Sequence, residues 1–275
     1  MIRKRLPILA GLLILGSLFT AAPVLAAAPS NDTLAGIKQI SVPFSETIST
    51  LEATTDADDL DIAVGCEGVP ALDASVWYEI TPSADSFLIA DLSESNYSAG
   101  AIVATGGSGN WTVQACGPFG VIWEALAGET YTILVFDDQE DGTPADGGTL
   151  VINVEEVPPP PDVSITVNPR GTFDPHTGGA TIRGTVTCSG GEAEFTFIDV
   201  FVRQKSGRFF IDGEGFVEGF TCDGTTQDWS VDVFGFNGLF KGGKSATVTF
   251  ALACGEFLCG EGFEETIVFL SSKKK

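Results

Sequence analysis

A single histidine and only fourteen bases in 275 residues remove several functions before any motif is read. His176 cannot build an imidazole-rich metal centre, and it sits in Asp174-Pro175-His176-Thr177-Gly178-Gly179, a turn-like stretch ahead of a strand pattern. A serine triad would need that histidine held between a nucleophile and a carboxylate, and no Gly-x-Ser-x-Gly elbow occurs. Bases are scarcest between residues 28 and 157, where Lys38 alone faces twenty-two acids. A field of that sign repels phosphate backbones and anionic lipid, so nucleic acid and membrane surfaces are excluded as partners of this half. The same half lacks any amphipathic helical repeat of useful length, and no long apolar run follows the N-terminal one.

What is present begins with an address. Arg3, Lys4 and Arg5 precede an apolar run from Leu6 to Phe19, which ends in Ala21-Ala22 and Ala26-Ala27-Ala28. Positive, hydrophobic and small-residue parts in that order predict a secretory signal over residues 1–28, cleaved after Ala26 or Ala28 in preference to being kept as an anchor. No membrane insertion is expected after cleavage. Loss of the three bases moves the formal charge from −23 to −26.

Pro158-Pro159-Pro160-Pro161 divides the remainder. Four consecutive prolines cannot lie inside a strand or helix, because each removes a backbone donor and fixes φ. Residues 158–161 are therefore read as an extended linker of roughly 12 Å between a domain at 29–157 and a domain at 162–275. Two cysteines lie before it and four after, and an even count in each half of an exported chain reads as intradomain disulfides. Cys66 and Cys116 have only each other. Cys188, Cys222, Cys254 and Cys259 allow three pairings, of which Cys188–Cys222 with Cys254–Cys259 is preferred. Zinc would need a second matched ligand pair beside Cys254 and Cys259, which the sequence does not offer.

Period-two alternation marks both halves as all-β. In the first, Ile40/Val42/Phe44, Val76/Tyr78/Ile80, Trp111/Val113/Ala115, Tyr131/Ile133/Val135 and Leu150/Ile152/Val154 are separated by Gly, Asn, Asp and Ser. Such patterning predicts an antiparallel β-sandwich. Asn31-Asp32-Thr33, Ser75-Val76-Trp77-Tyr78-Glu79-Ile80, Val113-Gln114-Ala115-Cys116 and Ala127-Gly128-Glu129-Thr130-Tyr131 resemble the bacterial pre-peptidase C-terminal domain. That resemblance implies a jelly-roll-like sandwich that accompanies exported proteins, serving secretion or adhesion to polymers, sometimes with calcium. The chain departs from that setting in carrying no recognisable peptidase.

Calcium is the one candidate cofactor. Asp137, Asp138, Glu140, Asp141 and Asp146 lie within ten residues, and hard cations take six to eight oxygens. With Asp137 at position one, Gln139, Asp141 and Gly142 fall at positions three, five and six of an EF-hand, but position twelve is Gly148 and the bidentate glutamate is missing. A different calcium geometry, joined by Asp56, Asp58, Asp59 or Asp61, is set against a solvated acidic hairpin.

In the second half, strands are expected at 163–167, 180–188, 195–204, 209–213, 216–222, 229–234, 245–254 and 265–271, which suits an immunoglobulin-like sandwich. Gly184-Thr185-Val186-Thr187-Cys188, Val202-Arg203-Gln204-Lys205-Ser206-Gly207-Arg208, Cys222-Asp223-Gly224 and Gly238-Leu239-Phe240-Lys241-Gly242-Gly243-Lys244-Ser245 resemble a domain of unknown function of secreted bacterial proteins, and imply no activity. The last segment matches a phosphate-binding loop literally, yet Ser245 opens a strand where that motif needs a helix. Fifteen of the twenty phenylalanines lie in this half. Phe216, Phe220, Phe234, Phe236 and Phe240 are set among glycines. Exposed, they would form an adhesive face; their spacing favours the core.

Together these readings predict a secreted, non-catalytic binding or adhesion module for an extracellular polymer or cell-surface protein. A secreted structural scaffold is the alternative, and a carboxylate-dependent hydrolase the second alternative.

Overall fold

The computed structural model describes residues 27–138, 147–191 and 193–273. Its regular structure is strand apart from one short helix and one helical turn among the described residues, and Pro158–Pro161 separates a pair of sheets from a third.

Before the prolines run β1 (Lys38–Ile40), β2 (Phe44–Ser49), a short helix α1 (Ala57–Ala63), β3 (Leu72–Ile80), β4 (Ser86–Asp91), β5 (Ala99–Gly107), β6 (Asn110–Pro118), β7 (Gly120–Ala125), β8 (Tyr131–Asp138) and β9 (Thr149–Val157). Two sheets result, in orders β1-β3-β8-β5-β6 and β2-β9-β4-β7. Val76, Tyr78 and Ile133 of the first meet Leu88, Ile152 and Val154 of the second in one core. The five-stranded sheet is covered on its other face too. There Trp77, Ile102, Leu134 and Phe136 pack with Ile62 and Ala63 of α1. Burial on both faces explains why Ile133-Leu134-Val135-Phe136 is an unbroken apolar run where a half-exposed strand would alternate.

The helix departs from the sequence reading, and its cause is local. Asp56 caps it, its carboxylate accepting from the backbone N–H groups of Asp58 (2.8 Å) and Asp59 (3.4 Å), while the Asp59 carboxylate accepts the N–H of Asp56. This reciprocal box closes a helix of seven residues, too short to show a periodic repeat.

After the prolines come β10 (Asp162–Val167), β11 (Arg170–Phe173), β12 (Ala180–Ser189), β13 (Phe195–Ser206), β14 (Phe209–Glu218), β15 (Thr226–Gly235), β16 (Gly243–Cys254) and β17 (Cys259–Ser272). They are hydrogen-bonded as one sheet in the order β10-β12-β11-β17-β16-β13-β14-β15, and β15 pairs back on β12 from Ala180 to Thr187. Ile182, Val200, Val231 and Val268 point into a shared core with Trp229 and Phe240. The two runs expected at 209–213 and 216–222 are a single strand. Gly213 and Gly215 mark no turn; a Cβ on Gly213 would meet the Phe234 carbonyl and one on Gly215 the Asp232 carbonyl, so both let β15 pass close.

Pro161 is buried, and its carbonyl lies against the α-carbon of Gly260 in β17. The last proline is thus packed into the second set of strands. A recess of about 280 Å³ lies between Pro158, Pro159 and Pro161 on one side and Gly190, Gly191 and the Gly255-Glu256-Phe257-Leu258 turn on the other.

The disulfides are Cys66–Cys116, Cys188–Cys222 and Cys254–Cys259, the preferred set. The first fastens the end of α1 to β6, and the third joins directly opposed residues of β16 and β17. Three such bonds fit an oxidising compartment. Among the described residues no helix is long and apolar enough to cross a membrane.

Candidate functional site

Alternation along β13, β14, β16 and β17 puts one set of side chains in the core and the other outside. On β13 the inward set is Ile198, Val200 and Val202; the outward set is Phe195, Phe197, Asp199 and Phe201. Register then builds the outer face row by row. Glu218, Phe197, Leu252 and Glu261 stand side by side across β14, β13, β16 and β17. The next row is Phe216, Asp199, Phe250 and Phe263, and the one beyond it Glu214, Phe201, Val248 and Glu265. Same-face neighbours along a strand and on the diagonal between strands are within reach of aromatic rings, and here rings meet: Phe197 is 5.5 Å from Phe195 and 6.0 Å from Phe250, centroid to centroid.

Phe197 and Phe250 are half-buried, and the rings around them are in solvent. Phe216 is 68 % exposed, Phe263 62 % and Phe195 48 %, with Phe234 and Phe236 of the β15 end also exposed. The expectation that the glycine-flanked phenylalanines fill the core is therefore corrected. Phe240 alone among them is fully buried, and Phe220 packs partly against the core; Phe216, Phe234 and Phe236 face outward because the aliphatic residues of opposite parity already occupy the interior. Phe195, Phe201 and Phe263, not singled out in the sequence, belong to the same face. The signal for them was a strand apolar at both parities in which branched aliphatics hold one and phenylalanine the other.

Charge on the face is uneven. Asp199 is at its centre, with Oδ1 buried and without a hydrogen-bond partner. Burial, and then the nearby Glu214 charge, push its carboxyl above the usual range. At the far end of the same strands, Arg203 pairs with Asp212 at 2.5 Å and lies over the Phe210 ring at 5.7 Å, and Lys244 lies over Phe269 at 5.4 Å.

Of the calcium candidates, Asp137 is buried at the end of β8 and accepts the Gly147 N–H at 2.8 Å, and Asp138 closes that strand. Glu140, Asp141 and Asp146 lie outside the described residues. The acids of α1 are engaged locally: Asp58 accepts from Ser108 Oγ at 2.7 Å, Asp61 from the Gly109 N–H at 2.6 Å, and buried Asp59 from Ser75 Oγ at 2.7 Å. Desolvation raises the Asp59 carboxyl to about 6. Among the described residues no three His, Cys, Asp or Glu side chains group as metal ligands. His176 sits in a turn whose Asp174 carboxylate accepts its backbone N–H at 2.7 Å, and Ser245 lies within β16, as a strand.

No protein-family model matches the chain, and no curated protein matches it. Solved structures with some likeness include a β-glucuronidase from Parabacteroides merdae (10 % identity, TM-score 0.26, covering 71 % of this chain and 28 % of that one). Another is a glycosyl hydrolase family 2 member from Bacteroides cellulosilyticus (11 %, TM-score 0.24, 71 % and 26 %). A third is a Lactobacillus rhamnosus β-glucuronidase (12 %, TM-score 0.22, 81 % and 38 %). The chain spans well under half the length of each, and likeness at these scores assigns neither fold family nor activity.

Proposed function

We propose that this is a secreted, non-catalytic binding or adhesion module that holds an extracellular polymer or cell-surface protein through the phenylalanine face of β13, β14, β16 and β17. On this reading the chain has two sandwich domains, a jelly-roll-like one resembling the pre-peptidase C-terminal domain and an immunoglobulin-like one, with the prolines between. The observation that carries it is the exposure of Phe195, Phe201, Phe216 and Phe263 on one face of one sheet, with Phe197 and Phe250 half-buried between them. Large contiguous apolar surface on an otherwise acidic chain is costly unless something covers it, and planar rings suit stacking on polymer units or burial against a protein.

The test is co-sedimentation of the signal-free protein with cell walls and a panel of insoluble polymers, in calcium and in chelator. Saturable retention that disappears in Phe216→Ser/Phe263→Ser supports the reading. Loss of retention in chelator would bring in the acids around Asp137. Retention on no material, or retention indifferent to those phenylalanines, overturns the assignment and leaves a structural scaffold.

A further inference from the structure

We propose that the acid-flanked end of this face seats a cationic amphipathic helix of a partner protein. The inference rests on the binding reading above and narrows its ligand to a basic helical polypeptide.

Three rows define the seat. Its two central strands carry Phe197, Phe201, Phe250, Leu252 and Val248 around the single acid Asp199, and its two flanking strands carry one ring between two glutamates each, Phe216 between Glu214 and Glu218 on β14 and Phe263 between Glu261 and Glu265 on β17. No lysine or arginine stands in these rows. β14 and β17 are three strand spacings apart, about 14 Å, and a helix with its side chains is about 10–12 Å across. A helix lying along the strands would press its apolar stripe on the rings while side chains from both flanks reach the two glutamate lines. Along each line the glutamates are four residues apart, about 13 Å, against about 10.5 Å between helix positions i and i+7, a difference that the long side chains of lysine or arginine span.

Charge chooses the occupant. Two copies of this face brought together would set five carboxylates, Asp199 included, against five more, so a self-dimer through it is disfavoured. Anionic lipid is repelled on the same ground. The opposite end of the strands shows what chemistry suits these rings, since there the chain's own Arg203 and Lys244 lie over Phe210 and Phe269. At the acid-flanked end the partner supplies the cations.

The probe is a labelled leucine–lysine peptide of about 14 residues, roughly 21 Å as a helix, with lysines on both flanks of one leucine stripe. Its binding to the full mature chain is read by fluorescence anisotropy at two salt concentrations, beside a scrambled peptide of equal composition and a deacetylated amino-sugar oligomer. The amphipathic peptide is expected to bind best. Glu214→Gln/Glu218→Gln and Glu261→Gln/Glu265→Gln should each weaken it roughly tenfold, Phe216→Ser/Phe263→Ser at least as much, and the remote exposed pair Glu124→Gln/Glu129→Gln less than about twofold. Melting curves confirm that each variant is folded. Equal binding of the scrambled peptide, equal losses from the remote pair, or binding of the amino-sugar oligomer without the peptide each overturn the helix. If the peptide fails while polymer retention still needs Phe216 and Phe263, the binding reading survives and the helical partner is withdrawn; if both fail, both fall.

Discussion

The Pro161 carbonyl occupies the space where a β-carbon on Gly260 would stand. Gly260→Ala must therefore move either the end of the proline run or β17. Overpacking of this kind costs about 1–3 kcal/mol. Urea unfolding should show that loss, whereas Gly107→Ala, at a position with nothing within 4 Å of the added carbon and an ordinary φ, should be nearly silent. Equal effects would mean that Pro161 is not held against β17.

The buried Asp59 predicts an acid-side gain. Its carboxyl, raised to about 6 from an unfolded value of 3.8, binds its proton more tightly in the native state. The contribution to stability is complete below about pH 4 and is lost as pH rises through about 6. Between those limits the difference is up to about 3 kcal/mol. Asp59→Asn cannot titrate, so the stability of the variant relative to the parent should rise across this window. A difference independent of pH would contradict the raised value.

Disulfide removal should rank by loop length. Cys66 and Cys116 are separated by 50 residues and anchor α1, so Cys66→Ser/Cys116→Ser is expected to cost about 2–4 kcal/mol in denaturant. Cys254 and Cys259 are separated by 5 and already opposed in the β16–β17 ladder, and their loss should cost less. The reverse ranking would place the anchoring elsewhere.

Two phenylalanines near each other in sequence should behave oppositely. Phe240, 2 % exposed, fills the core, and Phe240→Ala is expected to cost about 3–5 kcal/mol. Phe236→Ala, at a residue 69 % exposed, should stay within about 0.5 kcal/mol. Thermal melting of the pair checks the partition of these residues between core and surface.

Much of the β architecture was legible in the residues. Val163 and Ile165, or Leu150, Ile152 and Val154, alternate because one face is wet, and the structure puts them at core positions of β10 and β9. Where both faces are apolar the period loses its meaning. In β13 the sequence could say that Phe197 and Phe201 share a side, but not that Ile198 and Val200 had already taken the interior. Glycine misled in the same way, since Gly213 and Gly215 resemble a turn until the neighbouring β15 backbone is in place to need them. The helix left only its cap as a trace, Asp56 with Asp59 three residues on. The acidic face is a product of register, as Glu218 and Glu261 are far apart in sequence and come into one row only when four strands are paired.

The return of β15 onto β12 bears on how such a surface stays soluble. Residues 226–233 of β15 have one side of their backbone taken by β12, so along that side the last strand in the order is not a bare N–H and C=O row to which a second chain could add. Contact with other molecules there is left to side chains. An aromatic exterior with a satisfied backbone beside it can be gripped and released, where an open margin would template fibre growth.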